Sequence, residues 1–79
     1  MVAYWRASGI GKVRKELGAN IRAFRKKARL SQESLAEKAD LHPVYISEVE
    51  RGIKAVSVEA LWKLSRALRV SISALFRGV

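Results

Sequence analysis

The chain has no cysteine, and among its 79 residues there is only one histidine, one proline and one methionine. Without cysteine it cannot form a disulfide, an iron–sulfur cluster or a thiolate metal site. The single histidine, His42, has no second histidine to share a metal ion, so we expect no metal and no other cofactor. No apolar run approaches the roughly 20 residues needed to span a bilayer, and the first residues lack the long apolar centre of a signal peptide. A cytoplasmic protein that stays out of the membrane is therefore expected.

The residue combinations that support catalysis are also missing. There is no Gly-rich phosphate loop, and Ser, Lys and Glu do not occur at a catalytic spacing. Acidic residues are few: seven Asp and Glu face 16 Lys and Arg, giving a net charge of +9. Such a basic chain indicates a polyanionic partner. We predict a binding protein and not an enzyme, with no catalytic residue.

The positive charge is concentrated in the first part of the chain. Residues 1–30 carry nine Lys and Arg against one acid, a net charge of +8, whereas residues 31–79 carry seven Lys and Arg against six acids. A solvated basic surface that keeps the protein in solution is one explanation for this excess. Contact with a nucleic acid is the other, and the motif that follows it favours that explanation.

The segment SQESLAEKADLHPVYISEVERG, residues 31–52, has the pattern of two short helices joined by a tight turn. Ser31 can accept a hydrogen bond from a free backbone N–H in the first helical turn. Pro43 suits the first position of the second helix, where its missing N–H costs nothing. Gly52 supplies a left-handed stop. Helix, turn, helix and Gly stop is the helix-turn-helix layout.

The flanking segments predict three further helices. The first runs from Lys12 to Arg29, although Gly18 costs about 1 kcal/mol relative to Ala and could delay its start to near Glu16. A helix opened by Ser57 and a short one capped by Ser71 follow the motif. Residues 1–11, which include Trp5 and two glycines, are predicted to be a flexible arm or an irregular lead-in. The predicted fold is all-α, a compact five-helix bundle over residues 12–79.

Two motifs, SQ-x-x-LA and YIS-x-x-ERG, resemble the helix-turn-helix of the lambdoid phage repressor (Xre-type) family at this spacing. The resemblance extends from about Leu17 to Phe76. The chain length and the run ERG-x-x-x-x-S-x-x-x-L are most similar to controller proteins of restriction–modification systems. The resemblance implies a lambda-repressor-like DNA-binding domain without cofactors, acting as a homodimer on double-stranded DNA.

In such a domain the second motif helix, about Pro43 to Arg51, lies in the major groove. The residues predicted to read bases are His42, Pro43, Val44 and Glu48. Val44 can contact a thymine methyl group and Glu48 can accept from cytosine N4. His42 could donate to a phosphate or a base. Because Pro43 and Val44 offer no hydrogen bonds, shape readout is expected to contribute as well.

A second set of residues is predicted to contact the DNA backbone: Ser31, Gln32, Tyr45, Arg51, Lys54, Lys26 and Lys27. Gln32 stands at a helix N-terminus, where free N–H groups favour a phosphate. Four members have an alternative: Tyr45 could pack against the first motif helix, Lys54 could enter the minor groove, and Lys26 and Lys27 could simply complement the helix dipole.

The resemblance also implies two structural features. Arg25 and Glu50 match a mostly buried ion pair of the family, so both are expected to stabilise the fold. The C-terminal region forms the two-fold interface in relatives, which assigns Ile72, Leu75, Phe76 and Val79 to the dimer contact. Ordinary core packing is the alternative for these apolar residues.

These observations predict a homodimeric transcriptional regulator that binds a pseudo-palindromic operator. Such a regulator could repress by blocking RNA polymerase or activate by contacting it. Two alternatives differ in class: an antitoxin that regulates its own operon, and a basic protein that binds RNA or membranes without specificity. The second would leave the complete motif at residues 31–52 unexplained.

Overall fold

The computed structural model describes the backbone of residues 2–79 and the side chains of residues 9–79. In that range the chain forms five helices, α1 (Val2–Lys27), α2 (Gln32–Ala39), α3 (Pro43–Glu50), α4 (Val58–Leu68) and α5 (Ile72–Leu75). None of residues 2–79 belongs to a strand, so the predicted all-α class is confirmed. Within this part of the chain, no helix has both the length and the apolar character that crossing a membrane would need.

Side-chain caps set where the later helices begin. The hydroxyls of Ser31, Ser57 and Ser71 each accept a hydrogen bond from the N–H three residues on, at the starts of α2, α4 and α5. The three predicted serine caps are thus confirmed. His42 caps α3 in a similar way, because its Nδ1 accepts from the N–H of Val44 at 3.1 Å. This cap was not foreseen.

The first helix is longer than predicted. It begins at Val2, ten residues before the predicted Lys12, so the expectation of an irregular lead-in is wrong. The segment contains no proline, and a glycine inside a helix costs only about 1 kcal/mol relative to Ala. The side chain of Trp5 lies outside the described residues. Its role, and the division into an arm and a domain, stay predictions.

The hydrophobic core lies where α2, α3 and α4 pack together and α1 and α5 close the bundle. Its members are Leu17, Ile21, Leu35, Ala36, Ala39, Ile46, Val49, Leu61, Leu64, Leu68 and Leu75. Two apolar residues of the first part of the chain are not part of it. Val13 is exposed beside an open groove, and Ala28 is exposed beyond the end of the helix.

Two glycines let α1 lie directly against the end of α3. A Cβ on Gly18 would stand 2.2 Å from the carbonyl oxygen of Val49 and 2.8 Å from that of Glu50. Gly52 has a φ of +75°, and a Cβ there would stand 2.7 Å from Lys15. Gly18 therefore permits the close contact between α1 and α3. It lies in the interior of α1 and does not delay the start of the helix to Glu16.

Candidate nucleic-acid interface

The turn between α2 and α3 is built by backbone hydrogen bonds. Asp40 ends α2 in the left-handed conformation, with a φ of 54°, which Asp tolerates better than most residues. The N–H of Leu41 then donates to the Ala36 carbonyl at 2.9 Å. Residues 40–42 form the turn, and Pro43 opens α3. The predicted helix-turn-helix at residues 31–52 is present at its predicted place.

The residues predicted to read bases lie on α3 and its cap. His42 is exposed, Val44 is 57% exposed, and Pro43 and Glu48 are half-buried. Because His42 Nδ1 accepts from the Val44 N–H, the ring proton is on Nε2. His42 therefore keeps one N–H that can donate to a phosphate or a base while it caps the helix.

Glu48 and Lys54 are brought together, although the sequence predicted separate contacts for them. The Nζ of Lys54 lies 3.7 Å from Oε1 of Glu48, with side chains that are 50% and 30% exposed respectively. A cation at this place partly neutralises the carboxylate on α3.

A nearly buried carboxylate joins three helices at the base of the motif. Arg25 donates to Glu50 through Nε at 2.6 Å and through Nη2 at 3.0 Å, which is a bidentate pair. Gln32 Nε2 donates to the same carboxylate at 3.1 Å. Arg25 also donates through Nη1 to the Leu30 carbonyl at 2.9 Å, which fixes the α1–α2 turn. The ion pair implied by the resemblance is present, and Gln32 is an unforeseen third member.

Burial makes this network energetically important. The side chains of Arg25 and Glu50 are only 11% and 3% exposed. The hydrogen bonds to Glu50 raise the pKa of Arg25; burial opposes this change and the opposite charge of Glu50 adds to it. Arg25 is thus held in its charged form and is committed to the fold, unlike its exposed neighbours Lys26 and Lys27.

Tyr45 packs against the hydrophobic core, half-buried. Its hydroxyl lies 3.5 Å from the Ala55 carbonyl oxygen and 3.4 Å from the Ser57 nitrogen. These distances are long for hydrogen bonds, so the hydroxyl is directed to the α3–α4 loop without being tightly bound. A phosphate contact by Tyr45 stays a prediction.

The cationic side chains of the predicted backbone set border the motif. Lys26 and Lys27 form the last turn of α1, and Arg51 ends α3; all three are exposed. Ser31 is exposed as well, but its hydroxyl already caps α2 and donates to the Ser34 hydroxyl at 2.9 Å. The Ser31 hydroxyl is therefore engaged in capping α2, and a contact of Ser31 with the DNA backbone stays a prediction.

One residue of the predicted dimer contact belongs to the core. Leu75 is fully buried within a single chain, so its assignment to the dimer interface is wrong. Ile72, Phe76 and Val79 are exposed. Asn20 of α1, which the sequence did not single out, donates to the carbonyls of Leu75 and Arg77 at 2.8 and 2.9 Å. These bonds hold α5 against α1, with Leu75 turned inward.

The arrangement of helices and caps matches a known family. A family model described as helix-turn-helix (HTH_3) matches residues 21–75, most of the chain. The chain belongs to this helix-turn-helix family. The match begins at Ile21, so most of α1 in this helix-turn-helix protein precedes the matched region.

Individual relatives agree with this membership. The chain is 44% identical over 59 residues to control protein C.BamHI of Bacillus amyloliquefaciens, covering 73% of each chain. The crystal structure of the restriction–modification controller protein C.AhdI from Aeromonas hydrophila matches with a TM-score of 0.77 at 37% identity, over 78% of this chain and 94% of that one. The predicted resemblance to controller proteins is confirmed.

A third match is a structure that contains DNA. SinR, a master regulator for biofilm formation crystallised in complex with DNA, has a TM-score of 0.72 at 37% identity, over 75% of this chain and 95% of that one. Some other matched regulators are longer, and this helix-turn-helix chain spans 42% of two of them.

Proposed function

We propose that this protein is a sequence-specific DNA-binding transcriptional regulator that acts as a homodimer on a pseudo-palindromic operator in the cytoplasm. The observation that carries the proposal is the motif itself: α3 has exposed His42 and Val44 on its outer surface, while its inner surface is fixed by core packing and by Glu50. The similarity to control proteins and to a regulator crystallised with DNA supports the proposal.

In this proposal α3 lies in the major groove, and the N-terminus of α2 lies against the sugar–phosphate backbone. The side-chain amide of Gln32 has two N–H groups. One of them is used by Glu50, so the other can donate to a phosphate. Lys26, Lys27 and Arg51 add positive charge at the edges of the same surface. Phosphate contacts fix the register, and the α3 side chains then select the bases.

The relatives favour a regulator over an antitoxin, because those with named roles are control proteins and an immunity repressor. The proposal includes contact with RNA polymerase, as one way in which a regulator of this class can act.

Selection of bound duplexes from a random DNA pool at about 150 mM salt, with random RNA as competitor, tests the function. We expect a two-fold-symmetric motif with half-sites about 10 base pairs apart, the spacing that a dimer with two major-groove helices requires. Recovery of no motif, or equal displacement by RNA, would contradict sequence-specific binding and indicate a general polyanion binder.

The dimer contact is proposed for the exposed apolar residues at the C-terminal end, Ile72, Phe76 and Val79. We expect Phe76→Glu to weaken dimerisation by at least about 2 kcal/mol, as for a residue central to an interface. The chain should stay folded, because Phe76 is exposed in a single chain. Sedimentation velocity measures association, and circular dichroism measures helix content.

Lys38→Gln, on the exposed surface of α2, is the control for net charge, because it lowers the charge by one unit as Phe76→Glu does. Ile72→Glu repeats the test should Phe76→Glu lose helix content. A folded Ile72→Glu or Phe76→Glu protein that dimerises as tightly as the wild type would exclude this surface as the interface.

A further inference from the structure

The end of α3 is closed by two backbone hydrogen bonds that control where the chain goes next. The N–H of Gly52 donates to the Val49 carbonyl at 3.0 Å, and the N–H of Ile53 donates to the Glu48 carbonyl at 3.1 Å. With Gly52 at a φ of +75°, this is the Schellman arrangement that stops many helices. Lys54 therefore follows directly after a residue whose backbone is bonded to Glu48.

The side chains repeat this connection. Lys54 Nζ lies 3.7 Å from Oε1 of Glu48. Because Ile53 is held to the Glu48 carbonyl, Lys54 starts close to Glu48 and reaches its carboxylate without any change in the loop. The hydrogen bond from Ile53 to Glu48 thus places the backbone of Lys54 where its side chain can reach the Glu48 carboxylate.

The pairing changes what the carboxylate can do in a DNA groove. Glu48 and Glu50 are the two acids of α3, and Glu50 is already neutralised by Arg25. An unpaired carboxylate on the reading helix would be repelled by the phosphates on both sides of the groove. With Lys54 at Oε1, this repulsion is reduced and Oε2 is left to accept a hydrogen bond. Cytosine N4 and adenine N6 both offer an amino donor in the major groove, but adenine places the N7 acceptor beside it, and a carboxylate has no donor for N7. The Glu48 carboxylate is therefore matched to cytosine N4.

We propose that Lys54 is a positioning residue for base recognition: it orients and neutralises the Glu48 carboxylate so that Glu48 selects cytosine. This inference rests on the proposed DNA-binding function. It replaces the expectation that Lys54 contacts a phosphate or the minor groove, because the ammonium group at Glu48 is directed to the reading helix.

The test measures binding of the wild type, Lys54→Ala, Glu48→Ala and the double variant to the selected operator and to versions with each base pair changed. We expect Glu48→Ala to lose discrimination for cytosine at one position. Lys54→Ala should reduce discrimination at that same position by about tenfold, within the range of one good base contact. The double variant should lose no more than Glu48→Ala does. Lys54→Arg should retain the preference.

Lys63→Ala is the matched control, because Lys63 forms an ion pair with Asp40 at the same distance of 3.7 Å and outside α3. It should leave base discrimination unchanged. A phosphate contact by Lys54 would give a different result: uniformly weaker binding to all versions, a salt slope reduced by about 1, and effects additive with Glu48→Ala. That outcome would overturn the inference and leave the regulator function in place. A wild-type protein that selects no operator would refute both.

Discussion

Replacing Glu50 by Ala is expected to destabilise the fold by about 3–5 kcal/mol, because Arg25 would remain in its nearly buried place without a counter-charge. Gln32 would lose its acceptor at the same time. A chain of this size has a total stability of roughly 4–12 kcal/mol, so the loss is a large fraction of the total and the urea concentration at the unfolding midpoint should fall strongly. Urea denaturation followed by circular dichroism measures the change.

Two further variants separate the buried charge from other effects of the substitution. Glu48→Ala removes a half-exposed acid from the same helix and should cost less than about 1 kcal/mol. Arg25→Met combined with Glu50→Leu removes both charges and should recover much of the lost stability, since apolar replacement of a buried pair is often neutral. A Glu50→Ala protein as stable as Glu48→Ala would show that the network contributes little.

The second large effect is expected from Gly18→Ala. Intrinsic helix propensity favours Ala by about 1 kcal/mol. The new methyl group, however, would stand 2.2 Å from the Val49 carbonyl oxygen. That atom belongs to the backbone of α3, so a helix must move to make room. Overpacking of this kind costs typically about 1–3 kcal/mol, and we expect the steric cost to exceed the gain in propensity.

Because the displaced element is α3, affinity for the operator should fall together with stability. Thermal unfolding and a DNA-binding titration measure the two effects. Gly11→Ala is the matched control within the same helix, since a Cβ there meets nothing within 4 Å among the described residues. Its propensity gain should appear as a small stabilisation. If Gly18→Ala were stabilised to the same degree, the close approach of α1 and α3 would be refuted.

Local sequence signals predicted the motif well, because they act over a few residues. Ser31, Ser57 and Ser71 each satisfy a backbone N–H only three residues away. Such caps depend little on the rest of the fold, and so the starts of α2, α4 and α5 could be predicted from the chain alone. Gly52 as the stop after α3 is equally local.

Contacts between distant parts of the chain were harder to predict. Leu75 ends the very short helix α5 and Phe76 follows it, and the apolar pattern does not say which of the two faces α1. In the structure Leu75 faces the core and Phe76 is exposed, and two hydrogen bonds from Asn20, 55 and 57 residues earlier, tie this end of the chain to α1. The prediction for Gly18 failed for the same reason. Helix propensity describes only its cost within α1, whereas its advantage is the close approach to the Val49 carbonyl of α3.

The candidate site shows the same limit. The resemblance predicts the ion pair between Arg25 and Glu50. For Gln32 the sequence predicts only a DNA contact, because its hydrogen bond to Glu50 joins residues 18 positions apart. The sequence likewise predicts separate contacts for Lys54 and Glu48, whereas the structure places Lys54 Nζ 3.7 Å from Glu48 Oε1. Residue types and spacing thus indicated which side chains matter, while their pairing required the three-dimensional structure.

The carboxylate of Glu50, which accepts from residues of α1 and α2 and itself belongs to α3, also affects how the domain moves. A helix tied in this way cannot detach without exposing Arg25, so α2 and α3 should exchange their core amide hydrogens only when the whole domain opens. The surface proposed to meet DNA is then rigid before the encounter. Binding to the proposed operator should then lose little entropy through ordering of that surface. Operator occupancy should therefore follow the protein concentration and not a change in the shape of the helix-turn-helix.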